Sequence, residues 1–241
     1  MISVVSHGHA DLVHELLRSL ADLGAGTVDR VVLTLNLPES EPQAPRRGWP
    51  FVLNVRANAS PLGFGTNHNR ALRGVTEPFV CVLNPDIGLC DSAALGELVR
   101  AASLPGVGCA YPLQVDERGE VQDSVRALPT PWTLWRRRLL RRAEHDVDWV
   151  NAACMVLPRA VWETVGGFDE SYHMYCEDVD LCLRIQLAGF RLQRADCVVV
   201  HEGARASSRK LDHLRWHMAS MLRLWASPVY RQYKAARRVS A

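Results

Sequence analysis

The sequence contains no run approaching the roughly 18 consecutive apolar residues of a membrane-spanning helix; even the stretch from Trp149 to Leu157 is short and interrupted by Asn151. Its seven cysteines include no CxxC pair, and a scattered, odd-numbered set reads as reduced thiols rather than a disulfide framework. Met1-Ile2-Ser3-Val4-Val5 offers neither a charged n-region nor a long apolar core, so no secretory leader is expected and the expected compartment is the cytoplasm. Neither a Walker loop nor a GxGxxG is present, and internal repeats are lacking.

What remains is ordinary for a folded domain. The 241 residues are 48% apolar and 22% charged, which excludes disorder and a fibrous repeat. Net charge is only +2, yet it is unevenly spread: residues 205–241 carry nine basic side chains and one acid, Asp212, leaving an acidic body with a basic tail. A second basic run, Arg136-Arg137-Arg138-Leu139-Leu140-Arg141-Arg142, lies mid-chain. Such asymmetry suggests a polyanionic partner, membrane headgroups before nucleic acid, because no nucleic-acid-binding module accompanies the charge.

β-rich runs at Ile2–Ser6, Arg30–Asn36, Phe51–Arg56, Phe79–Leu83 and Val107–Tyr111 alternate with helical patterns such as Leu12, Leu16, Leu17, Leu20 and Leu95, Leu98, Val99. This alternation predicts an α/β domain with a mostly parallel sheet covered on both faces. Pro38 to Pro50 reads as a loop, Asp148–Leu157 as one strand-like run, Pro158 as a helix start, Glu177 to Ala188 as an acidic helix and Arg191–Val200 as a strand. The tail from about Ser207 to Trp225 is helical in pattern and breaks near Pro228. We expect a catalytic-type domain over 1–205 and a basic helical extension over 206–241.

In open α/β sheets ligands sit at the carboxyl ends of strands, and here those ends are polar: Ser6-His7-Gly8-His9, Asn36, Asn84-Pro85-Asp86 and His201-Glu202. Asp86 follows a buried strand; it is either part of a turn around Pro85 or a carboxylate suited to a divalent cation. His201, likewise, is either a strand-end hydrogen-bonder or a nitrogen ligand beside Asp86. Glu177 and Asp178 open a helix, where the positive field favours an ionised carboxylate that accepts a proton from a bound hydroxyl. Asp180 and Arg184 read as an i,i+4 pair, and His213 and His217 as helix surface or packing. Gly63-Phe64-Gly65 enters a helix, serving either anion binding or close packing.

Taken together, Val4-Val5-Ser6, Gly63-Phe64-Gly65 with His68-Asn69, Leu83-Asn84-Pro85-Asp86, Val150 through Met155, Gly166 through Arg184 and His201 resemble the family 2 inverting glycosyltransferases of the GT-A fold, closest to a bacterial rhamnosyltransferase-like branch of surface-polysaccharide synthesis. The resemblance implies a Rossmann-like central sheet and transfer of a sugar, with rhamnose favoured, from a nucleoside-diphosphate sugar to a glycan or lipid-diphosphate-linked acceptor. Under it Asp178 is the general base and Glu177 helps orient the acceptor. Asp86 and His201 ligate Mn2+ or Mg2+, with Asn84 in place of the first acid of an Asp-x-Asp motif, while Ser6, Asn36, Gly63 and Asn69 join Asn84 and Asp86 around the donor. Asn36 and Ala152 depart from residues common in the family, Asp and Gly. The implied donor is dTDP-L-rhamnose, followed by UDP-sugars. The basic segments, with Trp132, Trp135, Leu139 and Leu140 in one and Leu214, Met218, Met221, Leu222 and Trp225 in the other, either lie on an anionic inner membrane face or pack on protein. The rival reading is a non-catalytic GT-A-like domain that binds a nucleotide or glycan, or scaffolds an assembly.

Overall fold

Strand β4 (Phe79–Leu83) shows how the sequence sets the architecture. Val80 and Val82 face one apolar core and Cys81 and Leu83 the other, so the strand is buried on both sides and reads as an unbroken apolar run. In the computed structural model, which describes residues 1–24, 26–130, 147–202 and 210–240, β4 lies near the middle of an eight-stranded sheet.

The other sheet members are β1 (Ile2–Ser6), β2 (Arg30–Leu35), β3 (Val52–Ala57), β5 (Ile87–Leu89), β6 (Val107–Val115), β9 (Cys154–Pro158) and β10 (Arg191–His201), in the order β3-β2-β1-β4-β9-β6-β10-β5. β3, β2, β1 and β4 are mutually parallel, β9 runs against both β4 and β6, and β10 is parallel to β6. β7 (Val125–Arg126) and β8 (Trp149–Val150) form a separate antiparallel pair. The Asp148–Leu157 run is therefore two strands, split where Asn151 and Ala152 leave the ladder to turn. β6 is longer than the expected Val107–Tyr111, and the loop expectation for Pro38 to Pro50 agrees with the absence of helix or strand there.

Helices cover both faces. α1 (Ala10–Leu23) and α3 (Ala94–Ala102) lay Val13, Leu16, Leu17, Leu20, Leu95 and Leu98 on one side of the sheet. α2 (Phe64–Ala71), α4 (Arg159–Val165) and α5 (Glu177–Leu187) lie with the second core, where Trp162, Phe168, Val179 and Leu183 meet Val80, Val82 and Met155. The basic tail forms α6 (Lys210–Ala226) and α7 (Pro228–Ser240). Met221, Leu224, Tyr230 and Tyr233 of these helices are buried in that same second core, whereas Leu214, Met218 and Leu222 are exposed. Of the five tail residues expected to share one apolar face, two pack inward and three face out. The Arg136–Arg142 run and the expected boundary at 205 lie outside the described residues.

The tail is fastened by a buried carboxylate. Asp148 accepts the Leu128 N–H at 2.6 Å, stands 2.8 Å from the Tyr233 hydroxyl and is ion-paired with Arg237 of α7. The Asp148 carbonyl also accepts from Gln186 of α5 at 2.7 Å. Asp148→Ala is expected to destabilise the protein by about 2–3 kcal/mol, because it strands several buried partners at once. Lys234→Ala, exposed on the same α7, should stay within about 0.5 kcal/mol. Chemical denaturation checks both.

Candidate active site

The strand directions put the polar strand ends on one edge. β1, β2 and β4 are parallel, and two reversals through β9 and β6 leave β10 parallel to β4, so Ser6, Asn36, Asn84–Asp86 and His201 all leave the same side of the sheet. β9 runs the other way and contributes its beginning there. Asn84 N–H donates to the Ala153 carbonyl at 2.8 Å, and the adjacent Ala152 amide hydrogen-bonds the Asp178 carboxylate. Two consecutive residues thus tie the start of α5 to the turn that carries Asp86.

Asp86 and His201 meet directly. β5 pairs antiparallel with β10, with Ile87 opposite His201, and the Asp86 carbonyl accepts the Glu202 N–H at 3.0 Å. Gln122 donates from Nε2 to the His201 carbonyl at 2.6 Å, which turns its Oε1 toward His201 Nδ1 at 2.9 Å. An amide oxygen only accepts, so Nδ1 carries a proton, while the other ring nitrogen, Nε2, stands 3.4 Å from Asp86 Oδ2. Burial alone would raise the Asp86 carboxyl, but the contact with His201, a backbone amide and nearby His9 hold it below its usual range. Asp86 Oδ1 is buried with no hydrogen-bond partner among the described residues. A carboxylate beside an imidazole nitrogen, the ring oriented from behind by an amide, is a donor set that suits a hard divalent cation. Among the described residues no three His, Cys, Asp or Glu side chains converge, so a cation here would take its remaining ligands from a bound molecule.

Glu177 and Asp178 differ in setting although adjacent. Glu177 is 6% exposed, its Oε2 unpartnered among the described residues, and burial followed by repulsion from Asp178 pushes it up to about 8. Asp178 is partly accessible; burial raises it to about 6, opposed by hydrogen bonds from the Val179 and Ala152 amides and by the Arg126 charge. Environment thus separates two neighbouring carboxyls into one that stays protonated at neutral pH and one that ionises. The turn leading to them is unusual, since Tyr175 and Cys176 both adopt left-handed backbone, φ 72° and 66°.

The remaining expected residues are tied into the loops around them. Ser6 is fully buried and donates to Glu39 at 2.8 Å, while Glu39 also accepts the Gly8 N–H at 3.3 Å. Asn36 donates to the Leu62 carbonyl at 3.0 Å and accepts from the Leu62 N–H and from Asn58, both at 2.8 Å, so its amide joins the end of β2 to the loop before α2. Gly63 packs on backbone: a Cβ there would stand 2.7 Å from the His173 carbonyl oxygen. Asn69 accepts the Phe168 N–H at 2.9 Å and donates to the Phe168 carbonyl at 2.8 Å and to Glu170 at 3.0 Å, clamping the Gly-Gly-Phe-Asp-Glu loop. Of the two readings of the glycines, the packing one describes what Gly63 touches. Asp180 pairs with Arg184 at 2.7 Å, as the i,i+4 spacing suggests. Gln122, Glu39 and Arg126 carried no signal in the sequence, because each lies in a turn, a loop or a two-residue strand.

The raised Glu177 carboxyl has a measurable consequence. The folded state holds its proton between the unfolded value near 4.5 and about 8, so this group makes stability fall as pH rises through that window. Glu177→Gln is expected to leave stability unchanged near pH 4 and to be stabilising at pH 8, where the wild-type carboxyl has to ionise against its burial. Thermal melts at the two pH values read the difference.

With the fold and site in place, comparison with known proteins is informative. A family model described as "Glycosyltransferase like family 2" matches residues 43–219. The N-acetylglucosaminyl-diphospho-decaprenol L-rhamnosyltransferase of Mycobacterium tuberculosis is 30% identical over 237 residues, covering 84% of this chain and 77% of that protein. Rhamnosyltransferase WbbL of Escherichia coli K12 is 27% identical over 250 residues, covering 93% of this chain and 92% of WbbL. Among solved structures, the mannosyltransferase PcManGT from Pyrobaculum calidifontis, in complex with GDP-Man and Mn2+, superposes with a TM-score of 0.64 at 19% identity, over 100% of this chain and 75% of that one. Staphylococcus aureus TarS 1-349 in complex with UDP-GlcNAc gives 0.60 at 14% identity, over 96% and 70%. The structural pair shares the α/β GT-A architecture with this chain, and the match of the family model over most of its length identifies the protein as a member of glycosyltransferase family 2.

Proposed function

We propose that this protein transfers an L-rhamnosyl unit with inversion from dTDP-L-rhamnose to a glycan carried on a lipid diphosphate, a step in surface-polysaccharide synthesis. The observation that carries the reading is the placement at one sheet edge of the Asp86–His201 contact and, tied to it through Ala152 and Ala153, of the Asp178 carboxylate, raised to about 6. Two rhamnosyltransferases that align with most of the chain support the donor and the acceptor class.

In this reading Asp178 takes the proton of the acceptor hydroxyl as its oxygen bonds to the anomeric carbon and the carbon–oxygen bond to the diphosphate breaks, its electron pair leaving with the nucleoside diphosphate. Glu177, protonated and buried beside it, does not compete for that proton. Asp86 and His201 would hold Mn2+ or Mg2+, and such an ion supplies charge neutralisation for the leaving diphosphate. Ser6 and Asn36 line the nucleotide side, and Gly63 and Asn69 support it by fixing the loop at 168–173. We take 1–205 as the transferring unit and 206–241 as an extension built onto it.

Release of dTDP from dTDP-L-rhamnose, with Mn2+ and a lipid-diphosphate acceptor, tests this. Asp178→Asn should lower kcat by about 10³-fold while leaving nucleotide binding intact. The wild-type rate should rise with pH to a plateau just above 6, where the pair has lost its first proton. Nucleotide binding with no turnover would favour a scaffold, and a preference for UDP-sugars would overturn the donor.

The setting we propose is the cytoplasmic face of an anionic membrane. No helix of the described residues is long and apolar enough to cross one. Leu214, Met218 and Leu222 instead line one side of α6 at four-residue spacing, 59%, 51% and 58% exposed, with exposed Arg215 and Arg223 on the same helix. An exposed apolar stripe flanked by cations suits shallow insertion among acidic headgroups. The protein is expected to float with phosphatidylglycerol vesicles and not with phosphatidylcholine ones, and Leu214→Ser with Leu222→Ser should abolish flotation. A monomer-to-dimer change in that double variant would assign the stripe to a second copy instead.

A further inference from the structure

Tyr175 and Cys176 are the only non-glycine residues with positive φ among the described residues, they are consecutive, and they immediately precede Glu177 and Asp178. Neither is glycine, so each keeps a Cβ in a region that disfavours it, and such a pair persists only where its surroundings over-determine it. Cys176 is the residue that caps α5, and its own side chain makes no capping hydrogen bond. The direction in which α5 begins, and hence where the Asp178 carboxylate points, is therefore set by this turn rather than by a capping side chain.

What holds the turn comes from α6. The Tyr175 hydroxyl stands 2.6 Å from Nδ1 of His213, and Ser220 donates its hydroxyl hydrogen to the Met174 carbonyl at 2.8 Å. Rings extend the contact: His173 lies 5.0 Å from Trp216, Tyr175 lies 5.3 Å from His217, and His213 lies 5.3 Å from Trp216, centroid to centroid. Two hydrogen bonds and a chain of five rings thus span residues 173–175 on one side and 213–220 on the other. The other side of the turn is fixed by α2, since the Phe64 N–H donates to the His173 carbonyl at 3.0 Å. His213 and His217, whose spacing alone suggested surface or packing, belong to this clamp.

We propose that His213 and Ser220 of α6 are positioning residues for the transfer reaction, holding the left-handed Tyr175–Cys176 turn so that Asp178 is aimed at the acceptor hydroxyl. The proposal rests on the glycosyl-transfer reading above. It gives the C-terminal helices a part in catalysis distinct from any contact with lipid: they supply half of the frame on which the base is mounted. A helix that touches neither donor nor metal pair would then govern turnover while leaving donor affinity alone.

The test uses the full-length protein, with dTDP release from dTDP-L-rhamnose as the rate and Mn2+-dependent dTDP binding as an independent readout. His213→Ala and Tyr175→Phe are each expected to lower kcat at least tenfold with the donor KM within twofold, and the double variant should be little worse than either single one, because both remove the same contact. His213→Gln, which keeps a side-chain amide for the Tyr175 hydroxyl, should recover most of the rate. Lys234→Ala, exposed on α7, serves as the control and should leave the basal rate with a detergent-dispersed acceptor unchanged. Unchanged kcat in His213→Ala, a loss that follows a lowered Tm and is not recovered by His213→Gln, or a rise in donor KM alone would each overturn the proposal. Failure of the wild type to release dTDP at all would instead sink the functional reading, so the two failures are separable.

Discussion

The site depends on a short edge pairing. Directly after Asp86, β5 runs antiparallel to the end of β10, and that register sets His201 opposite Ile87, one residue from Asp86. Without it the turn after β4 and the end of β10 would be separate features on one sheet edge, with β9 and β6 between their strands. With it, a carboxylate and an imidazole stand 3.4 Å apart, and Gln122 sets the tautomer of the ring from behind. The pair is held by backbone hydrogen bonds on both sides.

The second half of the site is built against local stability. Glu177 is buried without a partner among the described residues, Asp178 is raised by burial, and the two residues before them are in left-handed backbone. Each of these costs free energy that the fold recovers elsewhere, in the apolar core under α5 and in the fastening of α7 through Asp148. The tail helices are consequently more than an appendage: Tyr233 and Arg237 secure the far end of the assembly while His213 and Ser220 meet the turn itself. Their outer side is left free, and the exposed Leu214, Met218 and Leu222 lie there.

Much of this was readable in the chain, for reasons that differ from residue to residue. Leu16, Leu17 and Leu20 on α1 and the alternating residues of β4 announce their elements because burial imposes a period on side-chain chemistry. The Gly63 and Asn69 segment was recognisable as a unit, but its contacts were not: Gly63 yields space to the His173 backbone and Asn69 binds Phe168, almost a hundred residues away. Asp148–Leu157 looked like one run because both of its strands are apolar and Asn151 is a single polar residue between them, whose amide pairs with distant Gln114. The tail's five apolar residues looked like one face because spacing places residues around a helix but does not say which neighbour occupies which side.

The sequence by itself determined the alternation of strands and helices, the polar strand ends, the acidic start of α5 and the uneven charge, because these follow from short-range periodicity and residue chemistry. Only the tertiary structure decided that Asp86 touches His201, that Gln122 orients the ring, that Glu177 is buried while Asp178 is reachable, and that α6 grips the turn before them. Those outcomes depend on strand order and on which surfaces exclude water, and both are settled by contacts between residues far apart in the chain.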